Sequence, residues 1–284
     1  MPTGLLLVLL ALFGLVIGSF LNVVIVRVPS GESIVSPPSK CPQCEQPIQT
    51  RDNIPVISWL LLKGRCRSCG EPIPAGYPLV EAGNAVLWVL AGLCFGASIE
   101  VIPYALLFSV LLALSVIDLE LYILPNKITY PSILVSLVAI PLLSLAATDD
   151  PAAAILGAVI GAIGFAGFLL VLLLAWELLL RKEGMGMGDV KLAILLGLWL
   201  GWINPLLCLF ALIASSLIGL VVGIGILFVR KESRPFPFGP WLALGTILVI
   251  LFHAPILRAY DINEDDTAAL RPPASTSLPV VTGQ

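Results

Sequence analysis

Long apolar stretches dominate the chain, with polar residues confined to short bursts between them. At ~20 residues per spanning helix, the apolar runs read as spans at about 4–26, 79–97, 100–117, 128–147, 152–180, 190–204, 206–229 and 237–257. Gly96 to Pro103 break what would otherwise be one continuous run. The first run lacks a basic leader and a small-residue cleavage site and contains Asn22, so it reads as a retained helix rather than a removed signal peptide. One interval, roughly 28–78, is long enough to hold structure of its own. Only 12% of the 284 residues are charged and 58% are hydrophobic, with a mean hydropathy of +1.04. Soluble domains carry about 25% charged residues. The pattern predicts an all-α polytopic membrane protein of about eight transmembrane helices.

Charge then sets an orientation. With that many spans, all but Arg258 and Arg271 of the 15 lysines and arginines fall on one side, which marks it as cytoplasmic. The N-terminus and the C-terminal tail are expected to face outward. Four segments follow: a first transmembrane helix (1–27), a cytoplasmic loop domain (28–78), a transmembrane core (79–257) and an outward-facing tail (258–284). The tail is acidic, then rich in Pro, Ser and Thr, and is expected to be disordered. The net charge of −3 adds nothing further.

The loop carries two Cys-x-x-Cys knuckles, "CPQC" at 41–44 and "CRSC" at 66–69. This spacing is close to that of a tetrathiolate zinc site, with Cys41, Cys44, Cys66 and Cys69 as ligands. Paired disulfides are the alternative, disfavoured in a reducing compartment. A closed four-sulfur site has no open position, so its metal is expected to be structural. Cys94 and Cys208 lie within apolar runs and are expected to pack as small hydrophobes. The only histidine, His253, is near the outer end of the last run, which argues against histidine-based hydrolysis.

Most of the 18 acidic residues have plain explanations. Glu177 is placed to pair with Arg181 one turn on, and Glu81 is expected in the first turn of the second span, where the helix dipole favours it. Two acids are left at the cytoplasmic ends of spans: Asp118 in "SVIDLELYILPNKIT" and Asp189 in "GMGMGDVKLA". A charge in such a place is either a snorkelling interfacial group or a functional one. Pro125-Asn126 should turn the chain sharply soon after Asp118. Gly186 and Gly188 would let the backbone before Asp189 approach a neighbour closely or take positive φ. Two aspartates facing one another in a low dielectric resist ionising together, so one can act as base on a water while its protonated partner polarises a carbonyl. That is peptide hydrolysis without metal or histidine.

Gly-x-Gly-Asp at 186–189 and Asp118…Leu124-Pro125-Asn126…Thr129 resemble the type IV prepilin leader peptidases, intramembrane aspartyl proteases that also act as N-methyltransferases. The resemblance extends through "GSFLNVVIVRVP" (18–29), both knuckles, "NIPVISWLLLKGRCRSC" (53–69), "YPLVE" (77–81) and "FPFGPWLALG" (236–245). It implies that Asp118 and Asp189 are the catalytic pair, with Gly186, Gly188, Pro125 and Asn126 forming active-site backbone around them. It further implies type IV prepilins or pseudopilins as substrates, cut on the cytoplasmic side of the bacterial inner membrane, usually after a glycine. The new N-terminal residue would then be methylated using S-adenosylmethionine, an activity the family associates with the four-cysteine loop. Gly76 departs from the pattern, since the family often has a basic residue just before the Tyr-Pro-Leu-Val-Glu stretch. The bilayer is the other expected partner, and nucleic acid is not one. A transporter, a non-enzymatic assembly factor and a peptidase lacking the methylating step are the competing readings.

Overall fold

A computed structural model describes residues 2–180, 186–230 and 237–259. Among these residues there is no β-strand, only two isolated bridges in the loop, and nine α-helices are formed between Thr3 and Leu251. They are α1 (Thr3–Ser30), α2 (Ile57–Leu61), α3 (Gly76–Phe95), α4 (Val101–Leu121), α5 (Asn126–Ala147), α6 (Pro151–Leu180), α7 (Met187–Ile203), α8 (Leu207–Arg230) and α9 (Gly239–Leu251). A 3-10 turn (Thr50–Asp52) lies in the loop. The chain divides into a unit Met1–Leu251 and a second from Phe252 onward, in which His253–Ala259 are helical.

The eight helices other than α2 correspond one for one to the apolar runs. Six are long and apolar enough to cross a membrane alone, or up to seven if α9 is counted with His253–Ala259. With 17 residues, α7 falls short, but it needs no lipid contact along most of its length because twelve of its residues are buried. The ends obey local chemistry. Gly31 closes α1 in the left-handed conformation, its N–H and that of Glu32 returning to the last-turn carbonyls. Gly96, at φ 63°, ends α3 where the sequence breaks the apolar run. The Asp150 carboxylate accepts the Ala153 N–H in the first turn of α6. The expected Glu177–Arg181 pair and the tail beyond residue 259 lie outside the described residues.

Glycines bring two helix pairs into close contact. On α6, Gly157 and Gly161 face Gly197 and Gly201 of α7, so that a Cβ on any of them would collide with the opposite backbone. On α1, Gly14 and Gly18 meet Ala85 and Glu81 of α3, where an added Cβ would lie 2.7–2.8 Å from the partner Cα. Lipid tails are as apolar as leucine, so such helices associate through close packing and interhelical hydrogen bonds. The hydrogen bonds are present. Trp88 donates to Ser109 (2.8 Å), Ser109 to Asn84 (2.8 Å) and Asn84 to the Gly14 carbonyl (2.8 Å), joining α4, α3 and α1. Trp199 and Trp202 of α7 donate to Ser136 and Ser144 of α5 at 2.9 and 2.8 Å. Every indole in these ladders has its N–H satisfied, as burial demands.

Of the six long spans, α4 is the most buried. It packs against α1, α3, α5 and α9. The α6–α7 seam gives a direct test. Replacing Gly161 by Leu should cost ~1–3 kcal/mol by overpacking, seen as a lower thermal midpoint in detergent. Gly164→Leu, on the same helix with open space around it, should leave the midpoint unchanged.

Candidate active site

Asp118 occupies the last turn of α4 and Asp189 the first turn of α7. Both are buried, at 6% and 7% exposure, and each carboxylate lies within coulombic range of the other. The helices arrive there by different local rules. Tyr122 takes the left-handed conformation (φ 58°) and returns its N–H to the Asp118 carbonyl at 3.0 Å, which stops α4. Pro125, extended at ψ 124°, then caps α5, and Pro is suited to a helix start because its missing N–H would have no partner there. Pro125-Asn126 therefore starts a helix as well as turning the chain. Gly186 is extended (φ −79°, ψ 144°) and its carbonyl receives the Asp189 N–H at 3.1 Å. Neither Gly186 nor Gly188 has positive φ. The alternative use of glycine, close approach, is the one observed.

What approaches Gly188 is Leu124. A Cβ at Gly188 would lie 3.1 Å from the Leu124 Cβ, and one at Gly239 would lie 3.4 Å from its Cδ1. The same Gly239 position is 2.6 Å from Asp118 Oδ2, and the Gly239 backbone N–H donates to that carboxylate. The first residue of α9 thus completes the site from a third direction. Gly239 is a site residue that sequence reasoning missed. Its only local signal is a glycine between Phe238 and Pro240 at the mouth of an apolar run, which proves to be a place where only a hydrogen atom fits. Lys191, two residues after Asp189, donates to Asn126 Oδ1 at 3.0 Å and sits 5.3 Å from the Tyr130 ring centroid. This pair ties the start of α7 to the start of α5. Asp118, Asp189, Gly186, Gly188, Pro125 and Asn126 are all brought to one end of the helix bundle.

The four loop cysteines form a separate cluster, their sulfurs all within 4.8 Å of one another. Cys41 and Cys69 sulfurs are 3.9 Å apart, near the ~3.8 Å that tetrahedral Zn–S bonds of ~2.3 Å would impose. The two knuckles repeat one backbone pattern. Cys41 and Cys66 donate to the carbonyls of Gln46 and Glu71, and accept from Glu45 and Gly70. Glu45 (φ 57°) and Gly70 (φ 74°) hold the same left-handed corner. Backbone N–H groups of Cys69, then Ser68, donate to the Cys66 sulfur and lower its thiol pKa to about 7. At Cys69 a backbone hydrogen bond from Glu71 is outweighed by burial and the neighbouring sulfurs, which push that thiol up to about 12, so that without a cation the four sulfurs do not all ionise together. Arg67 grips Asp52 through Nε and Nη2 at 2.7–3.1 Å, holding that carboxyl below its ordinary range and fastening the second knuckle to the 3-10 turn. Such a donor set can hold a metal ion. Cys208 is buried and Cys94 half-buried in the helices, as expected for packing residues.

Glu81 differs from its expected role. It lies five residues beyond the start of α3, outside the first turn, and is buried at 9% exposure. Its Oε2 accepts the Val56 N–H at 2.7 Å and its Oε1 faces Asn22 Nδ2 at 3.5 Å. The helix begins at Gly76, earlier than the hydropathy suggested, so the dipole argument gives way to a tether between loop and bundle.

A multi-pass helical membrane protein with two buried aspartates at one end of its bundle and a four-cysteine loop is the class these features define. Residues 12–95 match the bacterial peptidase A24 N-terminal domain and residues 105–224 match the type IV leader peptidase family. The chain belongs to the type IV leader peptidase family. It is similar to the prepilin leader peptidase/N-methyltransferase of Aeromonas hydrophila, at 40% identity covering 90% of this chain and 93% of the relative. The proteins of that name from Pectobacterium carotovorum subsp. carotovorum and Klebsiella pneumoniae are 37% and 43% identical, covering 86% and 68% of this chain and 92% and 84% of theirs. No solved structure matches the chain. Both knuckles fall in the first matched region and both aspartates in the second, while Gly239 lies beyond either.

Glu81→Ala should free the Val56 amide without touching the cysteines. A lost hydrogen bond to a carboxylate is worth ~1.5–3 kcal/mol, so hydrogen exchange at the Val56 amide should accelerate by about one to two orders of magnitude while the cysteine cluster keeps its capacity to bind a metal ion.

Proposed function

We propose that this protein removes the leader peptide of type IV prepilins or pseudopilins and then methylates the new N-terminal amine. One observation carries the hydrolytic half: Asp118 and Asp189, from helices distant in sequence, are buried together beside a backbone that only glycine permits. In this reading the ionised aspartate takes a proton from water and the hydroxide equivalent attacks the scissile carbonyl. The protonated partner polarises that carbonyl and later supplies the proton to the leaving amine. Gly239 N–H orients the Asp118 carboxylate, and Gly186, which has no side chain packed closely against it, leaves room for an unwound peptide, while Gly188 takes the close approach of Leu124. No covalent intermediate is needed.

The four-cysteine cluster holds a zinc ion in a structural role, and S-adenosylmethionine supplies the methyl group. The names of the relatives and the presence of the whole loop support this second activity. Gly76, where a basic residue is frequent in the family, starts α3 one residue before Tyr77, which puts this departure from the family pattern at the junction of loop and bundle. We place the protein in the bacterial inner membrane with the N-terminus outward and the aspartates at the cytoplasmic face. The gathering of basic residues on that side supports it, as does the substrate: a basic leader held in the cytoplasm puts its cleavage site at the inner interface. A transporter would hold its acids near the midplane, whereas these two stand at helix ends.

The two activities separate by substitution. Asp118→Asn or Asp189→Asn should abolish cleavage of a prepilin leader peptide, followed by mass spectrometry, while leaving methylation of an already cut peptide. Cys41→Ser with Cys66→Ser should do the opposite and remove zinc by elemental analysis. Retained cleavage in either aspartate variant would end the assignment. Gly239→Ala must displace the Asp118 carboxylate, so cleavage should fall at least ~10-fold, equivalent to ~1.4 kcal/mol of barrier, with the thermal midpoint little changed.

A further inference from the structure

The stretch "IPVISWLLL" (54–62) is apolar but for Ser58, yet it belongs to the loop. Its structure sorts these residues into two faces. Ser58 and Trp59 turn inward: Ser58 Oγ donates to the Arg51 carbonyl, and the indole of Trp59 donates to the Ile73 carbonyl and lies against Gly64. Ile57, Leu60 and Leu61 turn outward, Leu60 at 60% and Leu61 at 76% exposure, and Ile54 is also exposed. Four large aliphatic side chains in one short segment form a patch of the kind that marks an interaction surface.

The depth of this patch identifies what covers it. Val56 N–H is bound by Glu81, and Glu81 faces Asn22 of α1. Asn22 also donates to the Tyr77 carbonyl at 3.1 Å. Helix α1 runs on from Asn22 to Ser30, a rise of about 12 Å at ~1.5 Å per residue. The chain at Val56 therefore dips well below the end of α1, to a level inside the first apolar run. Val56 pays for this with a left-handed φ of 59°, rare for a β-branched residue, in a tight turn closed by the Ile57 N–H on the Pro55 carbonyl at 2.6 Å. In sequence the segment is flanked by Arg51, Lys63 and Arg65, all exposed.

We propose that residues 54–62 lie in the bilayer interface as a monotopic anchor, with Ile54, Ile57, Leu60 and Leu61 among the acyl chains and the three basic residues against anionic headgroups. An apolar face at this depth, tied to the spanning helices through Glu81 and Asn22 and flanked in sequence by cations, matches the way interfacial helices bind. A free apolar run of this length is too short to span. The anchor holds the cysteine knuckle at 66–69, a few residues on, against the membrane surface. It depends on the spanning helices alone and is independent of the peptidase reading.

The test uses full-length protein in lipid nanodiscs, bearing one environment-sensitive fluorescent amino acid at position 61 or, as a control, at position 46 in the first knuckle. Retained zinc and an unchanged thermal midpoint confirm folding of each. Emission from position 61 should be blue-shifted and quenched several-fold more than that from position 46 by nitroxide-bearing phospholipids, more so when phosphatidylglycerol is included. Equal quenching at the two positions overturns the proposal, since the patch then faces water. A blue-shifted signal at position 61 that lipid nitroxides leave unquenched also overturns it, because another protein chain then covers the face.

Discussion

Two carboxylates buried near one another at the ends of membrane helices are the constraint around which this molecule is built. Each would be better solvated in water, and neither has a cation against it among the described ion pairs. What replaces water is backbone. Gly239 brings its N–H to Asp118, and Leu124 seals the space against Gly188 and Gly239. A side chain at either glycine would force Leu124 or the carboxylate aside. Three separate chain segments, the α4–α5 turn, the start of α7 and the start of α9, therefore meet to within van der Waals contact where the acids are buried.

That meeting depends on how α7 is held. It is too short to rely on lipid and is nearly enclosed by protein. The Gly157/Gly161 and Gly197/Gly201 seam fixes it against α6, the Trp199–Ser136 and Trp202–Ser144 bonds fix it against α5, and Lys191–Asn126 fixes its first turn. Every one of these interactions replaces a hydrophobic driving force that is absent in a membrane. The end of the bundle that holds the two aspartates is braced through these contacts on the helix that carries Asp189.

Near the same end, Glu81 links the loop to α1 and α3 through backbone and Asn22. Through it the knuckles are coupled to the bundle by a short path.

The sequence by itself determined the helical membrane class, the order and approximate extent of the helices, the grouping of four cysteines and the choice of Asp118 and Asp189. Those features are legible because they follow from local composition: apolar length, ligand spacing, and a charge where charge is costly. Helix ends at Ser30, Gly76 and Leu251 were not legible, since capping and packing decide them rather than hydropathy. Nor were Gly239, Leu124, the facing glycines of α6 and α7, or the tether at Glu81. Each acquires its role only from what lies opposite, and which surfaces lie opposite is settled when distant helices pack, because close approach is a property of pairs of surfaces and not of either one alone.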